Sequence, residues 1–402
     1  MWQEEFKLYK LKDVTKLKNG YAFKSNQFTE NEVPIIRINN LQNNKVIIDK
    51  KICYPNEFLE NNKQYEVKMG DILISMSGSI GKISRYSYTE PSLLNQRVGK
   101  FEITEVNKLD REYLFYFLRS DEFQRAVIKD ANGCVVSNIS AKNISDCSIP
   151  VPSLEAQKKI VKVLKKAEDV VEKRKQAINL LDELVKSKFI EMFGNPAIND
   201  NGWVIDKLST VVTNIENGKS FVCESFSRSG KYPAILKLSA VTYGIYNANE
   251  NKALTDESLY VSSVEVKSED LLFTRKNTPE LVGMSAYVYN TEPNLMMPDL
   301  IFRFNTNEKI NKIYLWKLIN HDLFREKIKS LSNGSAKSMS NISKQRLMEL
   351  NIPIPPIGLQ NQFADFVKQL DKVKFKMEKS LKGLENNFNS LMKDSFSGNL
   401  SL

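Results

Sequence analysis

Two stretches of the chain carry apolar residues at alternating steps of four and three. The first runs from Leu154 to Phe193 without proline, and the second follows it at an offset of 203 residues. The mean step of 3.5 residues is the period of a coiled-coil seam. We therefore predict two long helices, whose seam positions are Ile160, Leu164, Ala167, Val171, Ile178, Leu181, Val185, Met192, Phe363, Val367, Leu370, Met377, Leu381, Leu384, Phe388 and Leu391.

The same offset relates shorter segments throughout the chain. NIS at 138–140 recurs at 341–343, and IPVP at 149–152 recurs as IPIP at 352–355. The segments between these matches differ freely. Self-similarity at a fixed period indicates a repeated structural unit, so we expect one scaffold used twice, with variable surfaces inserted in it.

The two seams are expected to pair with each other, and the alternative is that each packs on its own globular domain. Connectivity favours antiparallel pairing of the two helices. Each would be about 60 Å long, and parallel pairing would require the chain to cross back over that distance without a linker. We expect a pseudo-twofold arrangement. Its parts are a first globular domain at 1–152, a central spacer helix at 153–195, a second globular domain at 196–355 and a C-terminal spacer helix at 356–402.

Within the globular parts, short β-rich runs alternate with amphipathic segments. IIRIN (35–39) and DILIS (71–75) have strand-like composition. EYLFYFLRS (112–120) and IYLWKLINH (313–321) have helical periodicity. The mixture predicts an α+β fold for each domain.

Composition narrows the partners and the compartment. The chain has 402 residues and a net charge of +10, which favours a polyanionic partner. We expect neither a signal peptide nor a membrane span, because no apolar run reaches the ~18 residues that a span requires. One histidine, His321, and four separated cysteines argue against a zinc site and against a disulfide framework. We expect a reduced, cytoplasmic protein.

The motifs of several enzyme classes are absent from the sequence. It contains neither GxxxxGK[ST] nor the [DN]PP[YFW] motif of amino methyltransferases. GSIGK at 78–82 lacks P-loop spacing, so it is either a turn or a loop that contacts phosphate. The sequence therefore predicts a binding subunit with no catalytic residues and no metal or cofactor of its own.

GDILIS at 70–75 followed by Ser77-Gly78, NQR at 95–97 and IPVPSLEAQ at 149–157 resemble the specificity subunit of type I restriction-modification enzymes. In the second half, Glu269 replaces Gly70. The resemblance implies two target recognition domains, each reading one half of a bipartite, asymmetric site in double-stranded DNA, with the helices setting the gap. It also implies two modification subunits that methylate adenine with S-adenosylmethionine, and restriction subunits that use ATP and Mg²⁺.

Polar and basic loop residues are the candidates for DNA contact, because Arg, Asn and Gln can pair with base edges. The alternative is a two-headed adaptor that binds proteins and has no role on DNA. The candidate DNA-binding residues are Ser77, Ser79, Lys82, Asn95, Gln96 and Arg97 in the first domain and Arg275, Lys276, Asn277, Lys337 and Ser338 in the second.

Overall fold

The computed structural model describes residues 6–42, 44–131, 138–332 and 339–397. The chain divides into two compact units. Unit 1 comprises Met1–Lys175 and Lys379–Leu402, and unit 2 comprises Gln176–Glu378. Each unit thus combines one globular half of the repeat with part of each long helix.

Unit 1 is built on a six-stranded sheet of order β2-β11-β8-β9-β5-β4, a four-stranded sheet of order β6-β3-β10-β7 and the pair β1-β12. Its strands are β1 (Lys7–Lys10), β2 (Thr15–Asn19), β3 (Val33–Ile36), β4 (Leu41–Gln42), β5 (Lys45–Val46), β6 (Cys53–Tyr54), β7 (Glu66–Val67), β8 (Ile72–Ser75), β9 (Ile83–Arg85), β10 (Ser92–Leu94), β11 (Val98–Ile103) and β12 (Ser148–Val151). Its helices are α1 (Leu11–Val14), α2 (Asn56–Asn61), α3 (Arg111–Arg119), α4 (Asp121–Ala131) and α5 (Ala141–Ser145), followed by the long helix α6 (Leu154–Phe193).

Unit 2 has sheets of order β14-β21-β17-β19 and β16-β15-β20 and the pairs β13-β23 and β18-β22. Its strands are β13 (Val204–Lys207), β14 (Val212–Asn217), β15 (Ala234–Leu236), β16 (Asn251–Ala253), β17 (Leu271–Thr274), β18 (Lys276–Asn277), β19 (Ser285–Tyr287), β20 (Leu295–Met296), β21 (Ile301–Thr306), β22 (Ser340–Asn341) and β23 (Asn351–Ile354). Its helices are α7 (Ser239–Thr242), α8 (Lys312–Asn320), α9 (Asp322–Ser330) and α10 (Lys344–Met348), followed by the long helix α11 (Ile357–Ser397).

The two units repeat one topology. In unit 1 the long strand β11 lies between β2 and β8, and in unit 2 β21 lies between β14 and β17. A parallel pair also recurs, since β10 pairs with β3 and β20 pairs with β15. The predicted α+β class, the tandem repeat and the two long helices are confirmed.

The segments of α6 and α11 run antiparallel within each unit. In unit 1, the start of α6 around Ile160 shares a core with Phe396 near the end of α11. In unit 2, Asp182 pairs with Lys374 at 2.6 Å, and the ring centroids of Phe189 and Phe363 lie 5.5 Å apart. Residue numbers therefore rise along one helix as they fall along the other. Every predicted seam position is buried or half-buried.

Aromatic contacts fix each long helix to a globular core. Phe193 near the end of α6 lies 4.8 Å from the ring of Tyr314 in unit 2. Phe396, 203 residues later, lies 5.3 Å from the ring of Tyr113 in unit 1. Buried aromatic residues remove large apolar areas from water, so these contacts join the helices to the domain cores. Within the described ranges, no helix combines the length and apolar character needed to cross a bilayer.

Candidate nucleic-acid interface

Three backbone segments of unit 1 meet at the end of β8. The amide of Met76 donates to the carbonyl of Arg97 at 3.0 Å, and the amide of Ile139 donates to the carbonyl of Met76 at 3.0 Å. The turn after β8 is closed by Gly78 and Gly81, whose φ angles of 65° and 81° lie in the left-handed region that glycine adopts readily. GSIGK at 78–82 is therefore a turn between two strands.

Unit 2 brings its equivalent segments together with the same bonds. The amide of Arg275 donates to the carbonyl of Leu300 at 3.0 Å, and the amide of Ile342 donates to the carbonyl of Arg275 at 2.9 Å. Here the contact extends into the short strand pair β18-β22. We call these segments the loop cluster of each unit: 76–82, 95–97 and 138–139 in unit 1, and 275–278, 298–300 and 339–342 in unit 2.

One glycine in each unit allows the loop cluster to form. A Cβ on Gly20 would lie 2.0 Å from the carbonyl oxygen of Leu94, and a Cβ on Gly218 would lie 2.0 Å from that of Pro298. Both oxygens belong to the backbone, which cannot move aside as a flexible side chain would. The Asn-Gly pair occurs at 19–20 and again at 217–218, and in both units the close packing against the backbone requires the glycine.

In unit 1, the predicted contact residues differ in exposure. Asn95 is half-buried, and its Oδ1 accepts a hydrogen bond from the amide of Arg97 at 3.2 Å. Ser77 is 8% exposed, and its hydroxyl has no hydrogen-bond partner among the described residues. The exposed members are Ser79, Lys82, Gln96 and Arg97. The structure therefore places a polar and basic surface at this end of unit 1.

In unit 2, Arg275 and Lys276 are half-buried. The guanidinium of Arg275 lies 5.2 Å from the ring centroid of Phe302, and its Nε donates to Oδ1 of Asn341 at 3.4 Å. These contacts hold the guanidinium against the sheet, next to β22.

Asn277 has a different environment. It is 8% exposed, and its Nδ2 donates to Oγ1 of Thr242 at 3.1 Å, which ties β18 to the end of α7. The other two predicted residues of this unit, Lys337 and Ser338, lie outside the described residues.

The structure adds a segment to each loop cluster that the sequence did not indicate. Parallel strands end at the same edge of a sheet, so the chain after β3 emerges beside the 95–97 turn, and the chain after β15 emerges beside the 298–300 turn. In unit 2 this added segment carries Tyr243 and Ile245, which are 70% and 57% exposed. The sequence offered no signal for them, because their position depends on which strands pair.

Two buried cations hold the sheets behind the loop clusters. Lys100 Nζ donates to the carbonyl of Glu66 at 2.6 Å, and the guanidinium of Arg303 donates to the carbonyl of Glu265 at 3.0 Å. Arg303 also contacts Asp270 at 3.2 Å, while burial raises the pKa of that carboxyl. These two positive charges are satisfied internally and are separate from the exposed basic side chains.

Each unit has a cleft. That of unit 1 lies beside its loop cluster, and that of unit 2 lies between α8, residues 243–247 and the segments of the two long helices in this unit. The cleft in unit 1 has a volume of about 340 Å³ and is lined by Lys82 and Asn44 among others. The cleft in unit 2 has a volume of about 1210 Å³, and Tyr243 and Trp316 are in its wall. In the same wall, Lys317 Nζ lies 3.5 Å from the ring of Trp316, and burial lowers the pKa of this lysine to about 8. Among the described residues no group of three or more His, Cys, Asp and Glu side chains could hold a metal ion.

The sequence of the chain matches a known protein family. The family model described as "Type I restriction modification DNA specificity domain" matches residues 3–182 and 201–386. The chain belongs to this family. The two matches cover both halves of the repeat, and each takes in a globular part and a portion of one long helix.

Individual members of the family share between a fifth and a third of their residues with this chain over the matched regions. The MjaVIII specificity subunit of Methanocaldococcus jannaschii is 32% identical over 195 residues, which is 47% of this chain and 45% of that subunit. The putative MjaX specificity subunit of the same organism is 24% identical, covering 95% of this chain and 92% of that one. The EcoKI specificity subunit of Escherichia coli K12 is 23% identical, covering 96% and 88%.

Solved structures show that the fold is shared with this family. The S subunit of a type I restriction-modification system from M. genitalium matches with a TM-score of 0.56 at 15% identity, covering 98% of this chain and 96% of that one. A chain from a study of the assembly and conformational transition of the type I system matches with a TM-score of 0.55 at 15% identity, covering 98% of both chains.

Proposed function

We propose that this protein is the DNA sequence-specificity subunit of a type I restriction-modification complex, and that each unit reads one half of a bipartite site. The observation that carries the proposal is the loop cluster, which the fold builds twice with the same backbone bonds and different side chains. Where unit 1 has Asn95, Gln96 and Arg97, unit 2 has Pro298, Asp299 and Leu300. A common scaffold with two different surfaces suits an asymmetric target.

The chemistry of the exposed side chains supports DNA as the ligand. Arg and Gln can make paired hydrogen bonds to guanine and adenine in the major groove. Lysines such as Lys82 can neutralise phosphates, which positions the protein without reading sequence. The net charge of +10 favours this electrostatic part of the binding.

On this proposal, the chain directs chemistry that partner subunits carry out in the cytoplasm. Two modification subunits would bind S-adenosylmethionine and methylate adenine, and restriction subunits would cleave DNA with ATP and Mg²⁺. The long helices would set the unread gap between the two half-sites. The chain itself would be non-catalytic, in agreement with the missing enzyme motifs in its sequence.

An exchange of recognition domains tests the proposal. Residues 1–152 are replaced by the corresponding domain of another specificity subunit, and the methylated sites of the assembled complex are identified by sequencing. We expect one half of the methylated site to change and the other half to remain. A complex that methylates the original site after the exchange would contradict the proposal.

A salt series separates this function from that of a protein-binding adaptor. Binding of the assembled complex to a duplex carrying its site should weaken steeply as salt rises, because bound phosphates release counterions. An adaptor without a role on DNA would show no specific binding at any salt concentration.

A further inference from the structure

The turn after α7 is held by hydrogen bonds from several elements. We call residues 242–246 the Tyr243 turn. Asn277 of β18 donates to the hydroxyl of Thr242 at 3.1 Å, and the indole Nε1 of Trp316 in α8 donates to the carbonyl of Gly244 at 2.8 Å. Gly244 has a φ of 79°, which favours glycine at this position. The backbone of the turn is therefore fixed before any partner arrives.

This fixed turn presents large apolar side chains to solvent. Tyr243 is 70% exposed and Ile245 is 57% exposed, whereas Tyr246, the last residue of the turn, is half-buried and its hydroxyl lies 2.6 Å from the hydroxyl of Thr291. Exposed apolar side chains on a rigid support are typical of contact surfaces, because binding removes them from water with little loss of conformational entropy.

The position of the turn relates it to the loop cluster of unit 2. Strands β15 and β20 are parallel, with Ala234 paired to Leu295 and Ile235 to Met296. The chain leaves β15 at the same edge of the sheet at which the 298–300 turn follows β20, and α7 then leads to the Tyr243 turn. The bond from Asn277 joins the turn directly to a second segment of the same cluster.

The corresponding part of unit 1 has a different character. There the chain after β3 forms the hairpin β4-β5, which carries Gln42, Asn44 and Lys45. Asn44 and Lys45 are exposed, and so is Ile47 directly after the hairpin, so this segment offers amide and ammonium groups beside an isoleucine where unit 2 offers an aromatic ring beside an isoleucine. The two units thus differ at this edge by the chemistry of the side chains they present.

We infer that Tyr243, with Ile245 beside it, contacts the bases of the half-site that unit 2 reads, while Asn277 holds the turn in place. This inference rests on the proposed function and names a specificity element within it. Aromatic rings stack on bases, and apolar side chains inserted between base steps unstack them. DNA is the occupant, because Asn277, a member of the loop cluster that carries the candidate base-reading residues, bonds the turn directly.

Binding measurements on the full chain assembled with its modification subunits test this inference. The variants are Tyr243→Ala and Tyr243→Phe. The matched control is Phe226→Ala, because Phe226 is an aromatic residue of similar exposure, 61%, at the other end of the sheet. Its carbonyl accepts from the amide of Ala253, and Ala253 pairs with the first residue of β15. The probes are a duplex with the full site, a duplex with the unit 2 half-site scrambled, and duplexes with 2-aminopurine in that half-site.

We expect Tyr243→Ala to weaken binding to the full site on the order of tenfold. We also expect the unaltered protein to increase the 2-aminopurine fluorescence, and Tyr243→Ala to abolish that increase. Tyr243→Phe and Phe226→Ala should bind as the unaltered protein does, and all variants should bind the scrambled duplex equally. Unchanged affinity of Tyr243→Ala for the full site, or weakened assembly with the modification subunits in its place, would overturn the inference. Failure of the unaltered complex to prefer its site would instead refute the proposed function.

Discussion

Gln157 and Gln360 lie 203 residues apart and make the same three hydrogen bonds at the start of the two long helices. The side-chain amide of Gln157 donates to the carbonyls of Lys108 at 2.7 Å and Pro152 at 2.8 Å. Its oxygen accepts from the amide of Asp110, the residue that caps α3, at 2.8 Å. One side chain thus joins the β12 exit, the start of α6 and the start of α3.

Gln360 repeats this connection in unit 2. Its side-chain amide donates to the carbonyls of Lys309 at 3.2 Å and Pro355 at 2.7 Å, and its oxygen accepts from the amide of Asn311 at 2.8 Å. Both glutamines are completely buried. The repeat therefore includes the joint between each recognition domain and its helix, in addition to the fold of the domain.

We predict that Gln157→Leu and Gln360→Leu each destabilise the unit that contains the glutamine. Each change leaves three buried backbone groups without partners, and an unsatisfied buried group costs about 1–3 kcal/mol. Urea unfolding of the full chain should show a free-energy loss of several kcal/mol for either variant. The exposed neighbour Lys158→Ala is the control and should change little. Equal stability of Gln157→Leu and the control would refute this reading of the joint.

Much of the fold could be predicted from the sequence, because the seam of α6 and α11 is a local pattern that the packing preserves. The strand expected at 35–39 was less accurate, since β3 ends at Ile36. After Ile36 the side chain of Asn40 bonds the backbone. Its Oδ1 accepts from the amide of Arg37 at 2.8 Å, and its Nδ2 donates to the carbonyl of Ile47 at 2.7 Å. A side chain that bonds the backbone in this way competes with strand pairing.

The candidate site was harder to predict, because polarity alone does not report exposure. Ser77 and Asn277 are polar loop residues in the sequence, yet the structure buries both beside segments more than 30 residues away. Tyr243 was missed for the opposite reason, since an aromatic residue between short strands resembles part of a core. Its position follows from the pairing of β15 with β20 and from the bond between Asn277 and Thr242, which join segments far apart in the sequence.

The replacement of Gly70 by Glu269 gives a second prediction, with a matched partner in the other unit. Gly70 has a φ of 89°, and Glu269 keeps this left-handed conformation with a φ of 69°. A residue with a Cβ pays about 1 kcal/mol or more in this region. We expect Glu269→Gly to stabilise unit 2 by up to about 1 kcal/mol in urea unfolding. Gly70→Ala should destabilise unit 1, and a destabilising Glu269→Gly would refute the strain argument.

His321, the only histidine, gives a third prediction, which concerns pH. Its Nδ1 accepts from the amide of Leu323 at 3.3 Å and caps α9, and only the neutral ring can accept there. Burial lowers the pKa of His321, so the folded state binds this proton less readily than the unfolded chain. The stabilisation is therefore complete above the unfolded pKa of about 6.5 and is lost as the pH falls from that value through the lower pKa of the folded state.

We expect the free energy of unfolding of unit 2 to decrease between pH 7.5 and pH 5 because of this residue. The replacement residue is taken from unit 1, where Ser120 stands at the equivalent position before α4 and its hydroxyl accepts a hydrogen bond from the amide of Phe123 at 3.4 Å. His321→Ser should keep a cap and remove this part of the pH dependence. An unchanged pH profile in His321→Ser would contradict the role given to the ring.

The spacer role of the long helices gives a fourth prediction. Insertion of one heptad into both α6 and α11 preserves the seam register and lengthens each helix by ~10.5 Å. At ~3.4 Å per base step, the unread gap of the methylated site should grow by roughly three base pairs, while both half-sites stay unchanged. Methylated-site sequencing measures the gap directly. Replacing one existing heptad in each helix by another of equal length is the control, and it should leave the gap as it was. If the complex stays active and the gap is unchanged after the insertions, the helices do not set the distance between the half-sites. The insertions lengthen both helices equally, so the antiparallel contacts between them can keep their register in the longer pair.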